Sequence, residues 1–145
     1  MAAGAWQFYY TALERLMDGT YDLDNDTFTC MLLSNSHSPD LAAHDNLADI
    51  SGDEIADTDY ARVNLTSVTW DETNGTVTFD CADINFGTSV DISARYAIIF
   101  DDTHVSDGLL CYSDLNNGGS TPLTSSQSEF QITMNASGVF TLSQT

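Results

Sequence analysis

From residue 27 to the end of the chain, apolar residues recur with the period of two that a pleated strand imposes, in short runs separated by turn residues. The runs are 27–34 (TFTCMLLS), 61–70 (ARVNLTSVTW), 76–86 (TVTFDCADINF), 94–102 (ARYAIIFDD), 109–115 (LLCYSDL), 129–135 (EFQITMN) and 138–144 (GVFTLSQ). Alternation is explicit at Val77, Phe79 and Cys81 and at Phe130, Ile132 and Met134, so these strands have one dry face and one wet face. Tyr96–Phe100 is apolar without a break, as expected of a central strand covered on both sides. In 61–70 the apolar phase slips between Leu65 and Val68, which predicts a bulge. Asn-Gly within ETNG (72–75) signals a tight hairpin, and NASG (135–138) joins the last two strands. Short strands punctuated in this way predict a mainly β chain, an antiparallel β-sandwich or jelly roll.

One helix precedes the strands. In 5–17 (AWQFYYTALERLM), Trp6, Tyr9 or Tyr10, Leu13, Leu16 and Met17 fall at helical spacing, and Gly19 stands where a C-terminal cap belongs. Residues 1–19 are therefore assigned to an N-terminal helix within a single β domain spanning 1–145, with the helical stripe packed on a sheet. Phe8, Tyr9 and Tyr10 supply more aromatic surface than one buried stripe needs, so part of the helix is expected to face a partner. Two segments lack strand grammar. Residues 34–60 form a long acidic loop in which LAAHDNLADI suggests a helical turn or two. Residues 116–128, rich in Gly, Ser, Thr and Asn, are expected to be a flexible surface loop.

Charge narrows the possible functions. There are 22 acidic residues against three arginines and no lysine, a formal net charge of −19. Such a surface repels nucleic-acid phosphates and anionic membranes, because binding to either rests on Lys and Arg. No apolar stretch approaches the roughly 18–20 residues of a membrane span. The N-terminus shows no basic region followed by an apolar one, so synthesis in a cytoplasm is expected. In that setting Cys30, Cys81 and Cys111, far apart and set among strand residues, read as reduced core thiols.

No catalytic constellation stands out. Asp22, Asp24 and Asp26 have the spacing that opens an EF-hand, but position 6 of that loop would be Thr27 and position 12 Leu33, where glycine and a bidentate glutamate are needed. They read as a solvated acidic turn between helix and first strand. His37, His44 and His104 lie in loops near aspartates without any metal-ligand spacing. There is no nucleophile elbow and no phosphate-binding glycine loop. No catalytic residue, metal ligand or cofactor is assigned, and the protein is expected not to be an enzyme.

The opening GAWQFYYTALERLMDGTYDLDNDTFTCMLLSNS, in which an aromatic helix leads through GTYDLDNDTF into a strand, resembles small structural proteins of tailed bacteriophages. ARYAIIFDD and LLCYSDL, separated by a short Thr/Ser/Asp loop, resemble the same group. The resemblance implies a capsid cement or decoration protein, bound as a trimer to the major capsid protein on the exterior of the head. The contact residues expected for this role are Trp6, Phe8, Tyr9 and Tyr10 on the helix, with Leu41, His44 and Leu47 in the long loop. Removal of residues 1–10 is expected to abolish binding and spare the β core. A tail component is the alternative, or a carbohydrate- or receptor-binding sandwich using Tyr60, Trp70 or Tyr112 as stacking platforms; Trp70, closing a strand, is expected in the core. An enzyme built on the scattered carboxylates ranks third.

Overall fold

The structure is a computed structural model that describes residues 4–144. Residues 1–3 of the expected helical segment lie outside the described residues. The chain enters as a two-residue strand, β1 (Gln7–Phe8), followed by α1 (Tyr10–Met17) and β2 (Phe28–Leu33). Two short 3-10 turns, Leu47–Asp49 and Ser51–Asp53, interrupt the long loop. Strands β3 (Val63–Asn64), β4 (Thr69–Thr73), β5 (Thr76–Asp80), β6 (Ile84–Asn85) and β7 (Ser93–Ala94) come next, and then the long pair β8 (Tyr96–Asp101) and β9 (Gly108–Asp114). The chain closes with β10 (Leu123–Thr124), β11 (Gln131–Ile132) and β12 (Phe140–Ser143). The result is a mainly β, sandwich-like fold of antiparallel sheets with one helix, as the strand pattern predicts.

The principal sheet has the order β1-β9-β8-β2-β3, every pair antiparallel. The uninterrupted apolar run of β8 sits at its centre with both faces covered, and neighbouring β2 is buried along its whole length. A second sheet, β12-β5-β4, packs against it, and two two-stranded ladders, β10-β7 and β11-β6, complete the fold. Aromatic rings join the layers: Phe28 of β2 meets Phe79 of β5 at 6.0 Å, Phe79 stacks on Phe140 of β12 at 5.1 Å, and Phe140 meets Phe8 of β1 edge-on at 4.5 Å. Cys30, Cys81 and Cys111 are free and buried among these side chains.

The Asn-Gly hairpin forms as expected: Thr73 pairs with Thr76, and Asn74 and Gly75 both take positive φ, the conformation of a type I′ turn. Elsewhere the structure departs from the sequence pattern for identifiable reasons. The phase slip between Leu65 and Val68 marks a change of sheet and not a bulge. Leu65 N–H still bonds Phe28 O of the principal sheet, Ser67 turns the chain at φ 51°, and Thr69 begins the second sheet. The register irregularity within the principal sheet falls instead at Ile99/Phe100. Asn135–Gly138 is a turn closed by Gly138 N–H on Asn135 O, but the strands it joins belong to different sheets, β11 with β6 and β12 with β5.

The helix is shorter than expected because Gln7 and Phe8 are drawn into the edge of the principal sheet opposite Tyr112 and Cys111. Tyr9 is completely buried behind them. Loss of residues 1–10 would therefore remove an edge strand and a core tyrosine, and the expectation that the β core survives it is corrected. Gly19, at φ 79°, ends the helix as expected. The 116–128 segment is tied down: β10 pairs with β7, Ser125 Oγ donates to Val90 O and accepts from Ile92 N–H, and Asn116 donates to Thr121 O. The 34–60 segment packs Ile50 and Ile55 into the core and is capped by its own acids, Asp40 accepting from Ala42 and Ala43 N–H and Asp49 from Asp45 and Asn46 N–H.

Gly108 opens β9 where helix, turn and loop converge, and a Cβ there would overlap the Tyr21 hydroxyl and the Arg15 guanidinium. Gly108→Ala is expected to lower stability by about 1–3 kcal/mol through overpacking, measured as a shift in the urea unfolding midpoint at unchanged slope.

Candidate functional site

Helix α1 buries only a narrow stripe. Ala12 is inaccessible and Leu16 is half-buried, whereas Leu13 is 49% and Met17 80% exposed. The apolar stripe was expected to be core, yet Leu13 and Met17 point away from it, because the sheet beneath α1 meets one side of the helix only. They face the outer half of the second sheet. There the register puts Trp70, Phe79 and Phe140 in one cross-strand row and Glu72, Val77 and Leu142 in the next, all on the same face. The inner row packs on the core through Phe79, which is fully buried. The outer row overhangs, leaving Leu142 60% exposed and Val77 half-buried. Trp70, expected in the core, is half exposed, since β4 is an edge strand with solvent along its whole length.

Helix and overhang enclose an open groove of about 790 Å³, floored by Phe8, Tyr21 and Phe140 and walled by Leu13, Met17, Trp70 and Leu142. One carboxylate, Asp22, lines it; Asp18 follows Met17 directly in the chain, and Glu72 continues the Val77–Leu142 row. The Asp18 and Asp22 carboxyls are held below the usual carboxylate range, the first chiefly by hydrogen bonds from Thr20, the second chiefly by the Asn25 side chain and Asp24 N–H.

The acidic turn is a local hydrogen-bonded structure, as expected for residues of this type. Asp22 accepts from Asp24 and Asn25 N–H, and Asp26 accepts from Asp22 N–H at 2.7 Å. Its far end touches the core. Asp101, at the end of β8, is wholly buried; Oδ1 accepts from Thr103 and His104 N–H, and the carboxyl lies beside that of Asp26. Burial first, and then the Asp26 carboxyl, push Asp101 up to about 6.

The expected contact residues divide. Tyr10, on α1, is 61% exposed, and its N–H bonds Leu41 O at 2.9 Å. Thr11 donates to Asp45, while Arg15 donates to Asp45 O at 2.9 Å and to Asn46 Oδ1 at 3.1 Å. Helix and long loop are thus one unit, and Tyr10, Leu41, His44 and Leu47 belong to the same region of the surface. Leu41 and Leu47 are half-buried against the core, and the His44 ring lies 5.5 Å from that of His37. Phe8 floors the groove, and Trp6 borders a separate recess with Met134 and Val139. Tyr9 is a core residue with no surface to offer a partner. Sequence pattern missed Val77 and Leu142 as surface residues, since alternation reports one apolar face and not how far that face is covered.

The possible stacking residues do not come together. Tyr60 stacks on Phe86 at 6.1 Å, its hydroxyl donating to Glu54 and accepting from Leu32 N–H, and Tyr112 packs between Tyr9 and Tyr96. His37 is buried with Nδ1 2.8 Å from Asp53, and burial holds it below its ordinary value. His104 packs edge-on against Tyr21. Among the described residues no group of three or more His, Cys, Asp or Glu is arranged to hold a metal ion, and no helix is long and apolar enough to cross a membrane. Comparison with protein-family models, curated proteins and solved structures finds no match to this chain.

The buried Asp101 gives a signed pH dependence. Its folded-state value, about 6, lies above the ordinary 3.8, so between these limits the folded protein holds the extra proton and stability falls as pH rises. The Asp101 contribution is fully present below about pH 4 and lost above about pH 6, on the order of 1–2 kcal/mol. His37 acts in the opposite sense, its depressed value removing stability as pH falls below about 6.5. Asp101→Asn preserves the Oδ1 acceptor and His37 alike. The variant minus wild-type stability is expected to rise by about 1–2 kcal/mol between pH 4 and 7, measured by urea unfolding at each pH.

Proposed function

We propose that this protein is a non-enzymatic virion component, a cement or decoration protein that binds as a homotrimer to the outer surface of an assembled phage head and stabilises its lattice of major capsid protein. The observation that carries the proposal is the joining of helix α1 to residues 41–47 through Arg15, Thr11 and the Tyr10–Leu41 bond. The two segments expected to make contact form one platform with an apolar groove along its side. The resemblance of the first 35 residues and of about 94–115 to tailed-phage structural proteins supports the phage setting, and a charge of −19 suits a particle exterior better than contact with packaged DNA.

The mechanism is mass action. A ligand that binds the assembled lattice and not its free subunits stabilises the lattice by RT ln(1 + [L]/Kd), about 2.7 kcal/mol per site at a hundredfold excess over Kd. A glycan-binding module is the second reading, favoured by the half-exposed Trp70. The surroundings of Trp70 weigh against it, because Met17, Val77 and Leu142 are apolar and the Asp22 and Glu72 carboxylates already accept hydrogen bonds from within the chain.

Purified protein added to heads of the source phage is expected to co-sediment with them and to raise the temperature at which they rupture, with gold-tagged antibody coating the head evenly. Label confined to the tail, or glycan-array binding without head binding, overturns the proposal.

A further inference from the structure

The groove between α1 and the second sheet is open and largely apolar, and charge identifies what fits it. All three arginines are engaged within the chain: Arg15 with Tyr21, Asp45 and Asn46, Arg62 with Glu54, and Arg95 with Asp114 and Asn35. The chain has no lysine. The groove therefore has apolar walls and one lining carboxylate, Asp22, and the cation beside its floor, Arg15, which lies over the Tyr21 ring at 5.7 Å, is taken up by Tyr21, Asp45 and Asn46. An acidic occupant would set a like charge against Asp22 and the neighbouring Asp18 and Glu72, and a second copy, its three arginines likewise engaged, has no cation to offer them.

We infer that the groove beside α1 receives a short amphipathic segment of another protein, apolar where it meets Leu13, Met17, Trp70 and Leu142 and carrying Lys or Arg at its margins. The inference rests on the proposed function only for the identity of the protein that supplies the segment. The eight residues of α1 run about 12 Å, so the contact spans two helical turns or a few extended residues. Met17, with an unbranched and polarizable side chain, suits a wall that must fit a partner's apolar groups. Trp70 at the opposite wall is the residue type that dominates interface energies once covered. The bordering carboxylates speed encounter and set the direction in which the segment lies.

The test uses the full chain and a synthetic Leu/Lys amphipathic peptide of about four helical turns, with the Leu/Glu peptide of the same pattern as control. Isothermal titration calorimetry is expected to show saturable binding of the Leu/Lys peptide and none of the Leu/Glu peptide. Met17→Glu/Leu142→Glu adds negative charge while removing apolar wall, so electrostatic sticking alone would strengthen binding; the expected result is binding at least about tenfold weaker. Met17→Ala/Leu142→Ala removes wall without charge and is expected to weaken binding in the same direction, with circular dichroism confirming the fold of both variants. Unchanged or tighter binding by the variants, equal binding of both peptides, or no binding of the Leu/Lys peptide overturns the inference. Self-association abolished by the same substitutions overturns it as well, by making a second copy the occupant. Co-sedimentation with phage heads is read separately. Loss of head binding by wild-type protein with peptide binding intact sinks the proposed function alone, and head binding undiminished by the groove variants sinks the groove as its contact.

Discussion

A continuous seam of aromatic rings holds the layers of this fold together. Phe8 of β1 touches Phe140 of β12, Phe140 stacks on Phe79 of β5, Phe79 meets Phe28 of β2, and Phe28 meets Tyr21, which in turn packs against His104. The seam runs from near one end of the chain to near the other and crosses both larger sheets. Each ring contact adds about 0.5–1.5 kcal/mol to the burial of its surface. More important is what the seam positions. It ties β12 and β1, the outermost strands of their sheets on this side, to the turn that follows the helix, and so decides how far the second sheet overhangs.

Polar anchors complete the junction where the seam ends. Tyr21 donates to Leu109 O and accepts from Arg15, and Arg15 reaches on to Asp45 O and Asn46. One arginine thus joins helix, turn and loop, and through Tyr21 reaches β9, around Gly108, where a hydrogen is all the space allows. At the other end of β9, Arg95 grips Asp114 through two bonds of 2.7 and 2.8 Å, and Asp114 is held down to about 2. Many of the acids that make the net charge extreme also act locally. Asp22, Asp26, Asp40, Asp49, Asp91 and Asp101 each accept backbone N–H groups in turns where the main chain has no ladder partner. The acidity is therefore partly architectural, and the chain reserves none of its few cations for its surroundings.

The groove follows from two incomplete packings that share an edge. A helix laid on a sheet by one side leaves its other flank open, and a twisted hairpin whose inner row packs on a core carries its outer row beyond it. Where the flank of α1 meets the overhang of β12-β5-β4, residues of core character stand in solvent around bordering carboxylates. Contiguous apolar surface of this kind marks interaction sites in soluble proteins, whereas isolated exposed residues such as Val105 do not.

The sequence alone determined the mainly β class, the one helix with its Gly19 stop, the Asn74-Gly75 hairpin, the central place of β8 and the local nature of the acidic turn. Each of these is set within a few residues by periodicity or by φ preference. Beyond that hairpin, only the tertiary structure decided which strand pairs with which. The Leu65–Val68 slip and the Asn135–Gly138 turn look the same in sequence whether the chain bulges, doubles back or changes sheet. Tertiary packing likewise turned Tyr9 inward and Met17, Trp70 and Leu142 outward, and pinned residues 116–128, whose composition suggested freedom. The physical reason is that periodicity records which side of an element is apolar, while burial depends on what comes to lie over that side. In this chain the answer comes from contacts between residues far apart in sequence, Phe8 with Phe140 above all.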